Sequence, residues 1–340
     1  MSCLPKGYLL MLQRLRNKLF LSAQEGRFRN CAWLVPLSGL WSAGAAIKNR
    51  LYDRQILSIH RLPACVVSVG SLQAGGSGKT PLVHLLAEHL SGSIAILSRG
   101  YQAEKSGLSL GDELTMLSRR LPHVRMMADS DRVASGKKAM QNGSRLLFLD
   151  DGLQYRRLYR DFELVILDAA NPFGFGAFLP RGLLRDPPSR LREADAVFVN
   201  GCLTDELRQT LSSLTAAPFI EVRHQLRRAL NERGQEISLK GRRVGAVCAI
   251  AQPRRFLQTL TEAGAEVVQH WFLPDHDPFD PLELELFAKK CRADLVCTEK
   301  DRVKLPPDFP ILYLEMELQI ISGEADWQNL LKKIALKMNN

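Results

Sequence analysis

The chain has no Cys-x-x-Cys pair among its seven cysteines, no histidines at metal-ligand spacing, no internal repeat and no low-complexity segment. The odd, scattered cysteines exclude a disulfide framework and a zinc knuckle, and read as buried thiols in a reducing cytosol. Acidic residues are scarce in one place. From residue 1 to 61, ten basic residues stand against two acids, Glu25 and Asp53. A long hydrophobic run is missing too. The uncharged stretch 31–47 has 17 residues, includes Pro36 and is poor in strongly apolar side chains. It sits at the lower limit for crossing a bilayer and is expected to be interfacial or marginally spanning.

What is present is ordinary globular material, 46% hydrophobic and 24% charged, in 340 residues, enough for about two domains. The net charge of +10 is concentrated in the first fifth, which suits an anionic surface. Because the basic residues are interleaved with apolar ones, and residues 9–21 read as a basic amphipathic helix, that surface is expected to be a membrane and not nucleic acid.

The chain is organised around residues 66–81. The β-branched run Val66-Val67-Ser68-Val69 enters a loop containing Gly75, Gly76, Ser77 and Gly78, followed by Lys79-Thr80 and an apolar stretch at helical spacing. Glycines let backbone N–H groups approach phosphate oxygens, and the following helix directs its positive end to the same point. Lys79 would reach the β- and γ-phosphates and Thr80 would hold Mg²⁺. The strict G-x-x-x-x-G-K-[ST] pattern would have glycine where Gln73 stands, so this is a variant with its glycines shifted toward the lysine. The dinucleotide pattern G-x-G-x-x-G fails. A cleaved signal peptide is not expected, since it would leave this loop on the side of the membrane away from ATP.

Downstream, Ile94–Leu97 is expected as a strand ending in Ser98-Arg99-Gly100-Tyr101, where an arginine on the sheet rim could contact phosphate. Gly111-Asp112-Glu113 opens a helix through Leu121, and a further helix follows from Asp129 to Met140. Residues 145–149 form an apolar strand delivering Asp150 and Asp151, hard oxygen ligands of the kind Mg²⁺ prefers. If the strand continued, the two acids would point to opposite sides and one would meet the ion or its water shell. Residues 172–188, rich in Gly, Pro and Phe with Arg181 and Arg185, suit a substrate with acyl chains and a phosphate. The expected fold is α/β: a P-loop NTPase-like parallel sheet flanked by helices, with a second, smaller α/β lobe and an N-terminal membrane-associated helical segment. The expected boundaries are 1–60 for that segment, 61–215 for the P-loop core, 216–241 for a polar linker and 242–330 for the smaller lobe. Phe272–Phe279 carries His276 between acids. Thr298-Glu299-Lys300-Asp301 is not the guanine-reading N-K-x-D pattern, because its Lys and Asp are adjacent.

Taken in order, these motifs resemble the tetraacyldisaccharide 4'-kinase family over nearly the whole chain: A-G-G-S-G-K-T-P, L-S-R-G-Y, G-D-E, D-R-V, L-D-D-G-x-Q, the P-F-G loop with L-R-D-P, P-D-H-x-P-F and T-E-K-D. The resemblance implies transfer of the ATP γ-phosphate to the 4'-hydroxyl of a tetraacyldisaccharide 1-phosphate, giving lipid IV-A, at the cytoplasmic face of the inner membrane. It implies ATP and Mg²⁺ as cofactors, with the lipid and the membrane surface as partners and no nucleic acid. Asp112 would act on the sugar hydroxyl as base or aligning acid, paired with His276. Asp150 and Asp151 would be the metal-side acids, with Glu113 beside them. Gln154 would support the nucleotide, Arg132 and Arg185 the substrate. The chain departs from the family pattern at Tyr155, where histidine is common, and at Leu114, which replaces proline. The rival readings are a membrane-associated P-loop ATPase switch, whose signature lysine is Ala74 here, and a soluble small-molecule kinase.

Overall fold

A computed structural model of the protein describes residues 26–100, 110–250, 252–275 and 277–339. The β-branched run before the glycine loop is β1 (Cys65–Gly70), buried along its whole length because helices cover both faces of a parallel sheet. Parallel to it run β2 (Ile94–Ser98), β3 (Arg125–Ala128), β4 (Leu146–Asp150), β5 (Phe162–Asp168) and β6 (Ala196–Asn200), side by side in the order β6-β5-β1-β4-β2-β3. All carboxyl ends therefore lie on one edge, and the functional residues of strand-to-helix loops collect there. The flanking helices are α1 (Val35–Asp53), α2 (Lys79–His89), α3 (Asp112–Arg120), α4 (Arg132–Gln141) and α5 (Asp205–Leu214).

The stretch 216–241, expected as a linker, contains β7 (Phe219–Leu230), which is parallel to β6 and antiparallel to β12 (Leu312–Ser322). The strand carries Arg227 and Arg228. They are matched across the strand pair: Arg228 Nε donates to Glu315 Oε2 at 2.7 Å, and Arg227 lies 3.8 Å from Glu317. Beyond β12 the sheet continues with β11 (Asp294–Thr298), β9 (Arg243–Cys248) and β10 (Glu266–Phe272), and a short β8 (Glu236–Ile237) pairs with β7. One sheet thus runs through both parts of the chain, with the antiparallel β7/β12 pair as the seam between two parallel halves.

The second half carries α6 (Pro253–Glu262), α7 (Pro281–Cys291) and the single turn α8 (Glu299–Arg302). The final helix, α9 (Glu324–Asn339), packs on the first half: Trp327, 1% exposed, meets Phe198 edge-on at 6.1 Å and joins Leu82, Leu86 and Ile94 in one apolar cluster.

The expected amphipathic helix over 9–21 lies outside the described residues. The uncharged stretch 31–47 forms a 3-10 turn and most of α1, and among the described residues no helix is long and apolar enough to cross a membrane. Trp33, Leu40 and Ile47 are 69%, 70% and 59% exposed. The opposite side of α1 is tied to the core, through Ser38 Oγ donating to Phe178 O and Trp41 Nε1 donating to Arg185 O at 3.4 Å.

Candidate active site

The glycine loop lies between β1 and α2 as expected, and opens onto a cleft of about 1500 Å³ between the two halves of the sheet. Gly78 precedes the helix with φ +103, a conformation L side chains rarely adopt, and a Cβ there would also come within 3.1 Å of His224 Nε2 and Ile166 Cδ1. Lys79 Nζ donates to Gly75 O at 3.1 Å and lies 3.7 Å from Asp151.

Asp150 and Asp151 do not split across the sheet. β4 ends at Asp150, and Asp151 turns into the left-handed region at φ 54, keeping both acids on the side of the loop. Their roles separate through their partners. Asp150 Oδ2 accepts from Thr80 Oγ1 at 3.1 Å, while its buried Oδ1 has no partner among the described residues. Burial, then the neighbouring charges of Glu113 and Asp151, push the Asp150 carboxyl up to about 7. An orphaned buried carboxylate oxygen beside a threonine hydroxyl fits a hard divalent cation. Asp151 instead receives both arms of Arg185, at 2.6 and 2.7 Å. Burial opposes its charge, but Lys79 and Arg185 hold it well below the ordinary carboxylate range.

A stability test follows from Asp150. Its folded-state pKa is raised, so folding binds a proton and metal-free stability falls as pH rises from about 4 to about 7. Asp150→Asn is expected to unfold at higher temperature than wild type in metal-free buffer at pH 8. The difference should vanish near pH 4, as read by calorimetry.

Across the cleft, Asp112 starts α3 and is 2% exposed, with its Oδ2 3.7 Å from Lys304 Nζ. Glu113 lines the same wall, 3.3 Å from Lys300. Arg132, at the start of α4, reaches the cleft floor with its guanidinium 4.9 Å from the Tyr155 ring centre. Tyr155 also donates its hydroxyl to Asp131 Oδ1 at 3.2 Å, so at this position a phenol packs and caps the arginine helix. Gln154 does not line the cleft. It lies beneath it, donating to Ser71 O at 3.0 Å and to Asp186 Oδ2 at 2.8 Å, and its backbone oxygen accepts from Lys48. His276 lies outside the described residues. Of residues 172–188, Arg185 enters the cleft, while Arg181 donates to Arg29 O at 2.9 Å away from it.

The sequence reading passed over four residues on the far side of the glycine loop. Asn200 Nδ2 donates to Ser77 O at 3.4 Å, His224 packs on Gly78, and Arg255 from α6 donates to Asp168 Oδ2 at 2.8 Å, joining the two halves. Asp168 and Asn200 end β5 and β6, so the strand-end rule could have found them. His224 lay in the supposed linker. Burial, then Arg255, push its imidazole down to about 4, so it is neutral at pH 7.

A glycine loop of the P-loop type on a parallel sheet, facing a buried acid across a cleft, defines a P-loop phosphotransferase. Residues 31–335 match the family described as LpxK, tetraacyldisaccharide-1-P 4'-kinase. The tetraacyldisaccharide 4'-kinase of Anaeromyxobacter dehalogenans is 39% identical over 297 residues, covering 78% of this chain and 79% of that one. The enzyme of that name from Chlamydia abortus is 36% identical over 327 residues, covering 86% and 88%. The solved structure of LpxK from Aquifex aeolicus in complex with ATP superposes with a TM-score of 0.73 at 30% identity, covering 89% of this chain and 98% of that one. The chain belongs to the tetraacyldisaccharide-1-P 4'-kinase family, an ATP-dependent phosphotransferase of lipid A biosynthesis.

Proposed function

We propose that Asp112 takes the proton of the acceptor 4'-hydroxyl while Lys79 and the glycine-loop backbone hold the phosphates of ATP. The observation that carries this reading is the placement of a buried carboxylate, Asp112, on the wall of the cleft into which the loop opens. Thr80 and Asp150 would hold Mg²⁺, which when bound neutralises charge on the transferred phosphoryl group. Asp151 orients Arg185 and Lys79 toward the same phosphate, because it engages both cations at once. Arg132, raised on α4 and stacked on Tyr155, adds positive charge beside the two acids. His276, in its acid-flanked loop, would pair with Asp112. The test is transfer of labelled γ-phosphate from ATP-Mg²⁺ to tetraacyldisaccharide 1-phosphate in mixed micelles. Acceptor-independent hydrolysis with no labelled lipid would sink the reading.

The acceptor is amphipathic, and α1 with its preceding turn offers a matching apolar face. With Trp33, Leu37 and Leu40 exposed and basic Arg27, Arg29, Lys48 and Arg50 nearby, this segment lies on the cytoplasmic leaflet without crossing it. Burying one such side chain contributes about 1.5–3 kcal/mol. Leu40→Asp is therefore expected to weaken binding to anionic phospholipid vesicles by about tenfold or more, read by sedimentation, with ATP binding unchanged. Equal sedimentation of variant and wild type would place the membrane contact elsewhere.

A further inference from the structure

The Thr298-Glu299-Lys300-Asp301 segment is the sequence motif that neither the nucleotide loop nor the metal-side acids account for, and its contacts run to α3. Thr298 caps the turn, its hydroxyl donating to Asp301 Oδ2 at 2.7 Å. Asp301 is fully buried and its Oδ2 also accepts from Ala249 N at 3.1 Å, which fixes the turn to the end of β9. With the backbone so anchored, α8 and the residues just after it project three side chains toward α3. Glu299 receives both arms of Arg120 at the C-terminal end of α3, one of them from Nε at 2.7 Å. Lys300 Nζ lies 3.3 Å from Glu113 and 3.1 Å from Asp275 at the N-terminal end. Lys304, just beyond α8 and with its side chain 2% exposed, sits 2.9 Å from Asp301, 3.7 Å from Asp112 and 3.5 Å from Asp277 O.

These contacts cross from one half of the sheet to the other. α3 and the residues Asp275 and Asp277 come from different halves; Lys300 touches α3 and Asp275, and Lys304 touches α3 and Asp277. Burial works against the Lys300 charge, yet Glu113, Asp275 and Asp112 hold its pKa above the ordinary lysine range. Lys300 and Lys304 therefore sit among Glu113, Asp275, Asp301 and the acceptor-side acid Asp112.

We propose that the Thr298–Asp301 turn and Lys304 form a brace for the acceptor side of the reaction, in which Lys304 positions Asp112, Lys300 positions Glu113, and the Glu299–Arg120 pair sets the tilt of α3. Lys304 is a positioning residue that acts through Asp112, so this inference rests on the role given to Asp112 above.

The test is a double-mutant cycle on the full-length chain with ATP-Mg²⁺ and tetraacyldisaccharide 1-phosphate. Lys304→Met is expected to lower kcat by about tenfold to a hundredfold, with the KM for ATP unchanged. In an Asp112→Asn background the same change is expected to cost less than about twofold, because the group it positions is already disabled. An equal loss in both backgrounds, with Asp112→Asn itself impaired, would overturn the brace and leave the role of Asp112 standing. Full activity of Asp112→Asn would overturn both. If Lys304→Met does not fold, Lys300→Met, at a more exposed position, carries the same cycle against Glu113→Gln.

Discussion

Lys79→Ala is expected to suppress lipid phosphorylation by about a thousandfold in kcat/KM, the scale on which single electrostatic donors at a reacting phosphate or oxyanion act. The reason is local. Lys79 opens α2 at the mouth of the glycine loop, where backbone N–H groups and the helix end already favour anions. Its side-chain nitrogen lies between Gly75 O and Asp151 at the mouth of the loop. Removing it also takes one of the cations from Asp151, leaving Arg185 and Arg132 beside it, so the loss extends beyond one contact. Initial rates over an ATP series would show both a raised KM and a lowered kcat. A variant retaining a tenth of wild-type turnover would move the phosphate contact to another residue.

The second large effect is expected at Asp112→Asn, a nearly isosteric change that removes the charge while keeping the shape of the α3 start. A general base contributes about 10²- to 10⁴-fold, so kcat for lipid phosphorylation should fall in that range while the KM for ATP stays within about threefold. The separation of the two constants is the informative outcome, since Asp112 lines the cleft from α3 and not from the glycine loop. Because Asp112 is buried beside Lys304, Asp112→Ala would mix this effect with the cavity left by the missing side chain. Asparagine is the cleaner probe. An asparagine variant with undiminished kcat would show that proton removal is not Asp112's task.

These two residues also mark how far the chain could be read before it was folded. Lys79 was legible from local pattern alone, because a glycine loop needs positive φ and open backbone, and glycine is the residue that supplies both. The carboxylates after β4 were legible for a similar reason: an apolar strand must end where its charges begin. That Asp150 would face Thr80 while Asp151 turned to Arg185 was not legible, since it depends on a left-handed residue at the strand end and on an arginine 34 residues away. Gln154 had the right neighbours in sequence, but its amide is spent on Ser71 and Asp186 beneath the cleft. β7 was missed because its arginines find their acids on β12, far along the chain.

What the sequence determined by itself was the strand, phosphate loop and helix, the acid-bearing strand ends, the α/β class and the family, all of which rest on short-range backbone preference, periodicity and motif order. The tertiary structure alone decided that the two halves share one sheet through the β7/β12 seam, that α9 returns to bury Trp327 in the first half, and that α8 grips α3 through Arg120 and Glu299, 179 residues apart. The physical reason is that an isolated arginine or glutamate reads as solvated surface wherever it stands in a sequence. It becomes a structural element only when folding removes both partners from water and leaves each as the other's counter-charge.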